Sequence, residues 1–244
     1  MSDAVQEPRS ALVFGARNLG GAIIEALIDH DWLVAGVARS DATLEKITAA
    51  GALALRADVT DQASVRDALT RVAGERGRVD LVVNAAAAYG GTRTGPFGGG
   101  PMAEASADAF DSWAAAPARA AFAFLSGAAS FLVGQGGAAT AIQVTGGSSR
   151  RAMPGRGLWA AGAFGVRAIT QAAALELRGQ GIHIALLIVD AGIEPVDGTA
   201  RAGSREAMAD PRRIADAVCF LADQGSRAAT HELQITPLAE TWVP

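Results

Sequence analysis

One cysteine, Cys219, in 244 residues rules out an intramolecular disulfide framework and fits a reducing compartment. It lies in the apolar stretch 217–221 and reads as a core thiol rather than a nucleophile. Tyrosine is as scarce: Tyr89 is the only one. Of the histidines, His183 and His231 have no second His or Cys at ligand spacing, so no metal site is expected. There is no Lys/Arg run, and the formal net charge is −4. That balance argues against a nucleic-acid partner or an anionic membrane and leaves small-molecule work as the default. Residues 1–10 carry Asp3 and Glu7 and lack the basic and apolar regions of a secretory signal, so a cytoplasmic protein is expected. The longest low-charge stretch, 114–133, approaches membrane-spanning length but contains Pro117 and Arg119 and is rich in Ala, as suits a buried or subunit-contacting helix.

What is present is an ordered alternation. Short apolar runs at 11–14, 33–37, 52–55, 79–83, 138–144, 182–189 and 233–235 read as strands buried on both faces. Helical patterns fall between them at 21–30, 43–50, 62–75, 107–132, 159–178 and 212–222. The order calls for an α/β fold: one Rossmann-type, doubly wound parallel sheet of about seven strands, flanked by helices, with its site beyond the strands' carboxyl ends. No repeat or linker divides the chain, so residues 1–244 are expected as one domain, with residues 1–9 flexible. The Gly-rich stretch 90–101 is expected as a mobile loop at the carboxyl edge, either a lid or an indifferent surface loop.

After the first strand, Gly15-Ala16-Arg17-Asn18-Leu19-Gly20 leads into a helix. A Gly-rich turn in that context sets backbone amides and a helix N-terminus against a pyrophosphate. Read as G-x-G-x-x-G, the turn has Arg17 at the middle glycine, where a side chain obstructs close approach. The second strand ends in Val37-Ala38-Arg39, offering no acid for a ribose 2′-hydroxyl but a guanidinium suited to a 2′-phosphate, so NADP(H) is favoured over NAD(H). The bland alternatives are solvated charges at Arg17 and Arg39. Asp58-Val59 follows the third strand, and Asn84-Ala85-Ala86 closes the fourth.

In this order, these pieces and the 211–222 helix followed by His231-Glu232-Leu233-Gln234-Ile235 resemble the short-chain dehydrogenase/reductases along essentially the whole chain. The resemblance implies that Asp58 and Val59 meet the adenine, that Asn84 and Ala85 lie beside the adenosine ribose, and that Arg39 selects the 2′-phosphate. Against the family's G-x-x-x-G-x-G, Gly20 is the last glycine, Asn18 stands at the middle one, and the turn is one residue short. Gly192, in Asp190-Ala191-Gly192-Ile193, takes the place of the family's Pro-Gly turn near the nicotinamide.

The family's catalytic side chains are another matter. In such enzymes a Tyr with a lowered pKa exchanges the hydroxyl proton, a Lys four places on lowers it, a Ser holds the carbonyl oxygen, and an Asn in a kinked helix carries the relay. By this resemblance the Tyr place holds Trp159, the Lys place Ala163, the Ser place Gly146 and the Asn place Pro117. None exchanges a proton at neutral pH. Substitute acids are Tyr89, Thr145 and Ser148; Arg150, Arg151 and Arg156 read as an anion site or as solvated loop charges. Three expectations follow: an NADP(H)-binding relative without the ordinary activity, a carbonyl reductase using Tyr89 or the Thr145/Ser148 region, or a non-catalytic partner subunit. Helices 107–132 and 159–178 match those of the family's subunit contacts, which implies a homo-oligomer.

Overall fold

The computed structural model describes residues 8–87, 95–196, 199 and 205–240. Seven parallel strands form one sheet in the order β3-β2-β1-β4-β5-β6-β9. They are β1 (Ser10–Phe14), β2 (Leu33–Ala38), β3 (Leu53–Arg56), β4 (Leu81–Asn84), β5 (Ala139–Gly146), β6 (Ile182–Val189) and β9 (Glu232–Ile235). The helices between them are α1 (Leu19–Asp29), α2 (Asp41–Ala49), α3 (Gln62–Arg76), α4 (Ala107–Phe110), α5 (Ala116–Gln135), α6 (Gly157–Leu177) and α7 (Pro211–Ala222). A two-residue pair, β7 (Gly192–Ile193) with β8 (Met208–Ala209), lies outside the main sheet. The α/β doubly wound sheet read from the sequence is the fold observed.

Strand alternation divides the core into two layers. From β1, Ala11 and Val13 face α1 and α7, where Ile23, Leu27, Ile214 and Val218 are buried. Leu12 and Phe14 face α3, α5 and α6, where Leu69, Phe124, Leu132 and Leu177 are buried. Each such side chain contributes roughly 1.5–3 kcal/mol on leaving water, so both faces are needed to hold the sheet. The helices start where caps allow. Asp61 and Asp210 accept the N–H groups of Ala63 and Arg212 at the heads of α3 and α7, and Pro211 takes a first-turn position where its missing N–H costs nothing. The sheet order reverses direction between β1 and β4, opening a crevice beyond their carboxyl ends.

Three segments named from the sequence acquire partners in the fold. The Arg9 guanidinium lies 2.8 Å from Asp223 and 4.0 Å from the Trp32 ring centroid; residues 1–7 lie outside the described residues. Residues 95–101 of the Gly-rich loop are seated on the head of α6, and residues 90–94 lie outside the described residues. Gly98 and Gly99 have positive φ, and a Cβ on either would strike Arg156 or Leu158 at 2.9 and 2.6 Å. Only glycine allows that contact. Gly192, at the place compared with the family's Pro-Gly turn, pairs with Met208 in β7 and β8.

One helical run, Ala107–Gln135, is long and apolar enough to cross a membrane by length and composition. Here it packs within the fold, with Phe124, Leu125, Ala128 and Leu132 buried. Pro117 sits in its middle, where the kink expected from a lost N–H appears as a π turn, Asp111–Ala115, just upstream. The Ala116 N–H accordingly donates to the Asp111 carbonyl. Gly162 of α6 packs on this turn so closely that a Cβ there would lie 2.6 Å from the Trp113 carbonyl oxygen.

Candidate functional site

The four places compared with catalytic residues converge. Pro117 from α5, Gly146 from the end of β5, and Trp159 and Ala163 from α6 line one cavity of about 220 Å³ beyond the carboxyl ends of β4, β5 and β6. Leu19 closes one wall, and Ala191 and Ile193 close another. The side chains contributing polar atoms are Asn84, Gln143, Thr145 and the Trp159 indole. No Asp, Glu, His, Lys or Arg among the described residues lines it. The chain's only lysine, Lys46, is exposed on α2. Tyr89 lies outside the described residues.

Of the substitute hydroxyls, Thr145 lines the cavity and Ser148 does not. Ser148 is buried in the short turn Gly147–Ser149, where the Ser149 Oγ–H donates to the Gly146 carbonyl at 2.8 Å. On the cavity floor the Asn84 Nδ2–H donates to Gln143 Oε1 at 3.0 Å, and Asn84 Oδ1 accepts from the Ala86 N–H. The Gln143 Nε2–H donates to the Val144 carbonyl at 2.8 Å. Gln143 was not marked from the sequence; its signal was a lone amide in an otherwise apolar strand.

Trp159 stands at the cavity wall. The Phe97 ring packs edge-on against it at 4.8 Å and against Trp113 at 5.2 Å. Arg156 covers Phe97 at 5.1 Å from its centroid. Side-chain packing thus fills the space beside the Tyr place with aromatic carbon. This is why the Gly-rich loop seats on α6, and neither Phe97 nor Trp113 carried a sequence signal of it.

At the nucleotide end, Gly15 has φ +86°, and a Cβ there would lie 2.5 Å from the Ala86 backbone, so the turn and the end of β4 are in contact through glycine. Gly20 is held likewise, its missing Cβ 2.6 Å from the Gly15 carbonyl oxygen. Arg17, at the middle place of the G-x-G-x-x-G reading, is exposed. Asn18 does more than lengthen the side chain at the family's middle glycine. Its Nδ2–H donates to the Glu194 carbonyl at 3.2 Å, and its Oδ1 accepts from the Val196 N–H at 2.9 Å. This pair of hydrogen bonds to the segment after β7 ties together the two walls formed by Leu19 and Ile193. An amide that could have capped α1 is used instead to bridge 176 residues of chain.

Farther along the edge, Arg39 is largely exposed, its guanidinium 4.0 Å from Asp58. Burial opposes ionisation of Asp58, but the hydrogen bonds from the Thr60 N–H and Oγ1–H and the Arg39 charge outweigh it, holding the carboxyl below its ordinary range. Val59 is buried in the core. Arg56, not singled out from the sequence, donates to the Arg39 carbonyl and to Asp41, and so fixes the strand end that carries Arg39.

Of the three arginines after β5, Arg156 lies over the Phe97 ring and the other two are paired with carboxylates. Arg150 and Arg167 both pair with Glu232, the latter by two bonds of 2.8 and 2.9 Å, and Gln171 donates to the same carboxylate at 2.6 Å. Arg151 lies between Asp190 and Glu240, at 3.4 and 3.7 Å. Partial burial acts against ionisation of Glu232, yet its Arg167 and Gln171 bonds prevail and hold its pKa below the ordinary value of 4.5. Such a group adds stability above its unfolded pKa and loses it as pH falls through the folded value. Glu232→Gln is therefore expected to cost about 1–3 kcal/mol at pH 7, the range for charge-assisted bonds. Urea denaturation repeated toward pH 3 should show the difference from the parent shrinking; an undiminished difference would place the effect elsewhere.

No group of three His, Cys, Asp or Glu side chains among the described residues could hold a metal ion. Cys219 is buried, and burial raises its thiol pKa, which keeps it protonated and inert.

No curated protein sequence matches the chain significantly. Among solved structures, the alcohol dehydrogenase from the archaeon Thermococcus sibiricus complexed with 5-hydroxy-NADP is 22% identical, with 98% of this chain and 100% of that one covered and a TM-score of 0.77. Acetoin dehydrogenase from Enterobacter cloacae is 20% identical over 98% and 100% of the two chains, with a TM-score of 0.77. A metagenomic short-chain oxidoreductase in complex with NADP is 23% identical over 95% and 98%, with a TM-score of 0.71. At these identities the likeness is one of fold. The sequence match is separate evidence: residues 9–202 fit the family model described as short chain dehydrogenase. With the sheet order and the glycine turn packed on β4, that match assigns the chain to the short-chain dehydrogenase family.

Proposed function

We propose that this protein binds NADP(H) at the carboxyl edge of its sheet and does not perform the family's ordinary carbonyl/alcohol hydride transfer, acting as a pseudoenzyme or putting the bound cofactor to a noncanonical use in the cytoplasm. The observation that carries the reading is the cavity itself. It gathers all four catalytic places, and none of Pro117, Gly146, Trp159 and Ala163 can give or take a proton.

The residues present fit a phosphorylated dinucleotide. The cradle at Gly15, which a Cβ would fill, and the N-terminus of α1 would take the pyrophosphate. Arg39 would take the 2′-phosphate, Asp58 and the Val59 backbone the adenine, and Asn84 and Ala85 the adenosine ribose; Ile193, which lines the cavity beside Gly192, would border the nicotinamide. Two neighbours of similar fold were solved with NADP or 5-hydroxy-NADP. When bound, the cofactor would supply a hydride; among the described walls of the cavity the one hydroxyl is that of Thr145, with no lysine or other cation beside it to lower its pKa.

Calorimetric titration with NADPH and NADH tests this. NADPH is expected to bind at least tenfold more tightly, and Arg39→Ser to abolish most of that preference while leaving NADH binding nearly unchanged. Absence of binding by either nucleotide, or vigorous turnover of common ketones or alcohols, would sink the proposal. A homo-oligomer belongs to the same reading: α5 and α6 leave Phe122, Phe164 and Leu175 exposed. Light scattering that finds only monomer would remove that part.

A further inference from the structure

The cavity continues between α5 and α6. From α5, Pro117, Ala120 and Ala121 share one stripe at helical spacing; from α6, Trp159, Ala163 and Val166 form the facing stripe. Ala120, Ala121, Ala163 and Val166 are all buried, and their small side chains leave the space unfilled. The floor amides of Asn84 and Gln143 spend their bonds on each other and on nearby backbone. Thr145 is different: its hydroxyl is free of hydrogen bonds to the described residues.

A charged guest would lose its hydration here and meet no counter-charge, whereas an apolar one gives up little. A cavity of about 150 Å³ lined by aliphatic and aromatic side chains is enough for benzene; the whole cavity here, of which the seat between α5 and α6 is one part, is about 220 Å³. Trp159 offers ring surface to a second aromatic, and with no side chain at Gly146 the nearest part of the indole lies 3.7 Å from where a Cβ would stand.

We propose that the seat between α5 and α6 binds a small, neutral aromatic molecule of one or two rings, bearing a single polar group that hydrogen-bonds to the Thr145 hydroxyl. The proposal deepens the reading above, because it names what the altered chemical end of the same site would hold. It is nonetheless tested without nucleotide.

The probes are 2-naphthol and naphthalene-2-carboxylate, titrated calorimetrically at pH 7 into the full chain. We expect 2-naphthol to bind once per chain and the carboxylate at least tenfold more weakly. Ala163→Leu, which grows a side chain into the seat, should weaken 2-naphthol at least tenfold. Thr145→Val, nearly the same shape without the hydroxyl, should weaken it about fivefold, the effect of one hydrogen bond. Circular dichroism and thermal melting establish that both variants fold, and the comparison of two probes on the parent chain stands without any variant. No saturable 2-naphthol binding, equal binding of the carboxylate, or undiminished binding in a folded Ala163→Leu would overturn the proposal. So would competition between 2-naphthol and NADPH, since the aromatic would then occupy the nicotinamide's place. NADPH titrated into the same preparation keeps the two readings apart: binding of NADPH without 2-naphthol ends this inference and leaves the nucleotide reading standing.

Discussion

Gly147→Ala should destabilise the protein by about 3 kcal/mol or more, a size reached when a side chain is forced into filled space. A Cβ at this position would lie 1.8 Å from Asp190 Oδ1 and 2.1 Å from its Cγ. The carboxyl group is poorly placed to retreat. Asp190 is buried at the end of β6, its N–H donates to the Ile235 carbonyl, and its Oδ1 faces Arg151. Its Oδ2 is buried without a partner among the described residues. Burial, with the nearby Glu240, raises the Asp190 pKa against the opposing pull of Arg151. Thermal melting should show a fall in Tm on the order of 10 °C for a chain of this size. Asp190→Ala in the same chain should remove most of the Gly147→Ala penalty, because the atoms it strikes are gone. Additive losses in the double variant would mean that the clash is with something other than this carboxyl.

Restoring Ser, Tyr and Lys together, as Gly146→Ser, Trp159→Tyr and Ala163→Lys, is expected to raise NADPH-dependent reduction of small ketones by at least a hundredfold over the parent. General acid catalysis contributes roughly 10²–10⁴-fold where the acid is positioned. The backbone has room for the change. A Cβ at Gly146 meets its nearest neighbours at 3.7 and 3.9 Å, ordinary contact distances, so a serine fits there without displacing β5. Ala163 faces the cavity, which can take a lysine's hydrocarbon stem. The smaller ring at residue 159 would loosen its packing on Phe97 and open the wall. Pro117 is left in place, so the relay is not rebuilt and the rate should stay below that of a complete site. Absorbance of NADPH against a ketone panel measures it. A folded triple variant that binds NADPH yet remains inert would show that more than these three side chains separates this site from an active one.

The sequence by itself determined the fold class and the order of its seven main strands, because apolar runs, glycine turns and helical spacing are local properties. By resemblance it also set Trp159, Ala163, Gly146 and Pro117 at the places where the family keeps proton-handling side chains, a reading that rests on order along the chain. The segment 90–101 reads as a loop for the same reason, yet its composition says nothing of Phe97 meeting Trp159 or of glycines pressed on Arg156 and Leu158. Gly192 was placed by its resemblance to the family's Pro-Gly turn, and its pairing with Met208 came only from the fold. Only the tertiary structure joined Asn18 to Glu194 and Val196, set Gly147 against Asp190, gave Arg150 and Arg151 their carboxylate partners, and faced small residues of α5 and α6 across one cavity. These contacts join residues tens to nearly two hundred positions apart, and no local preference encodes which side chain a folded sheet will bring to another.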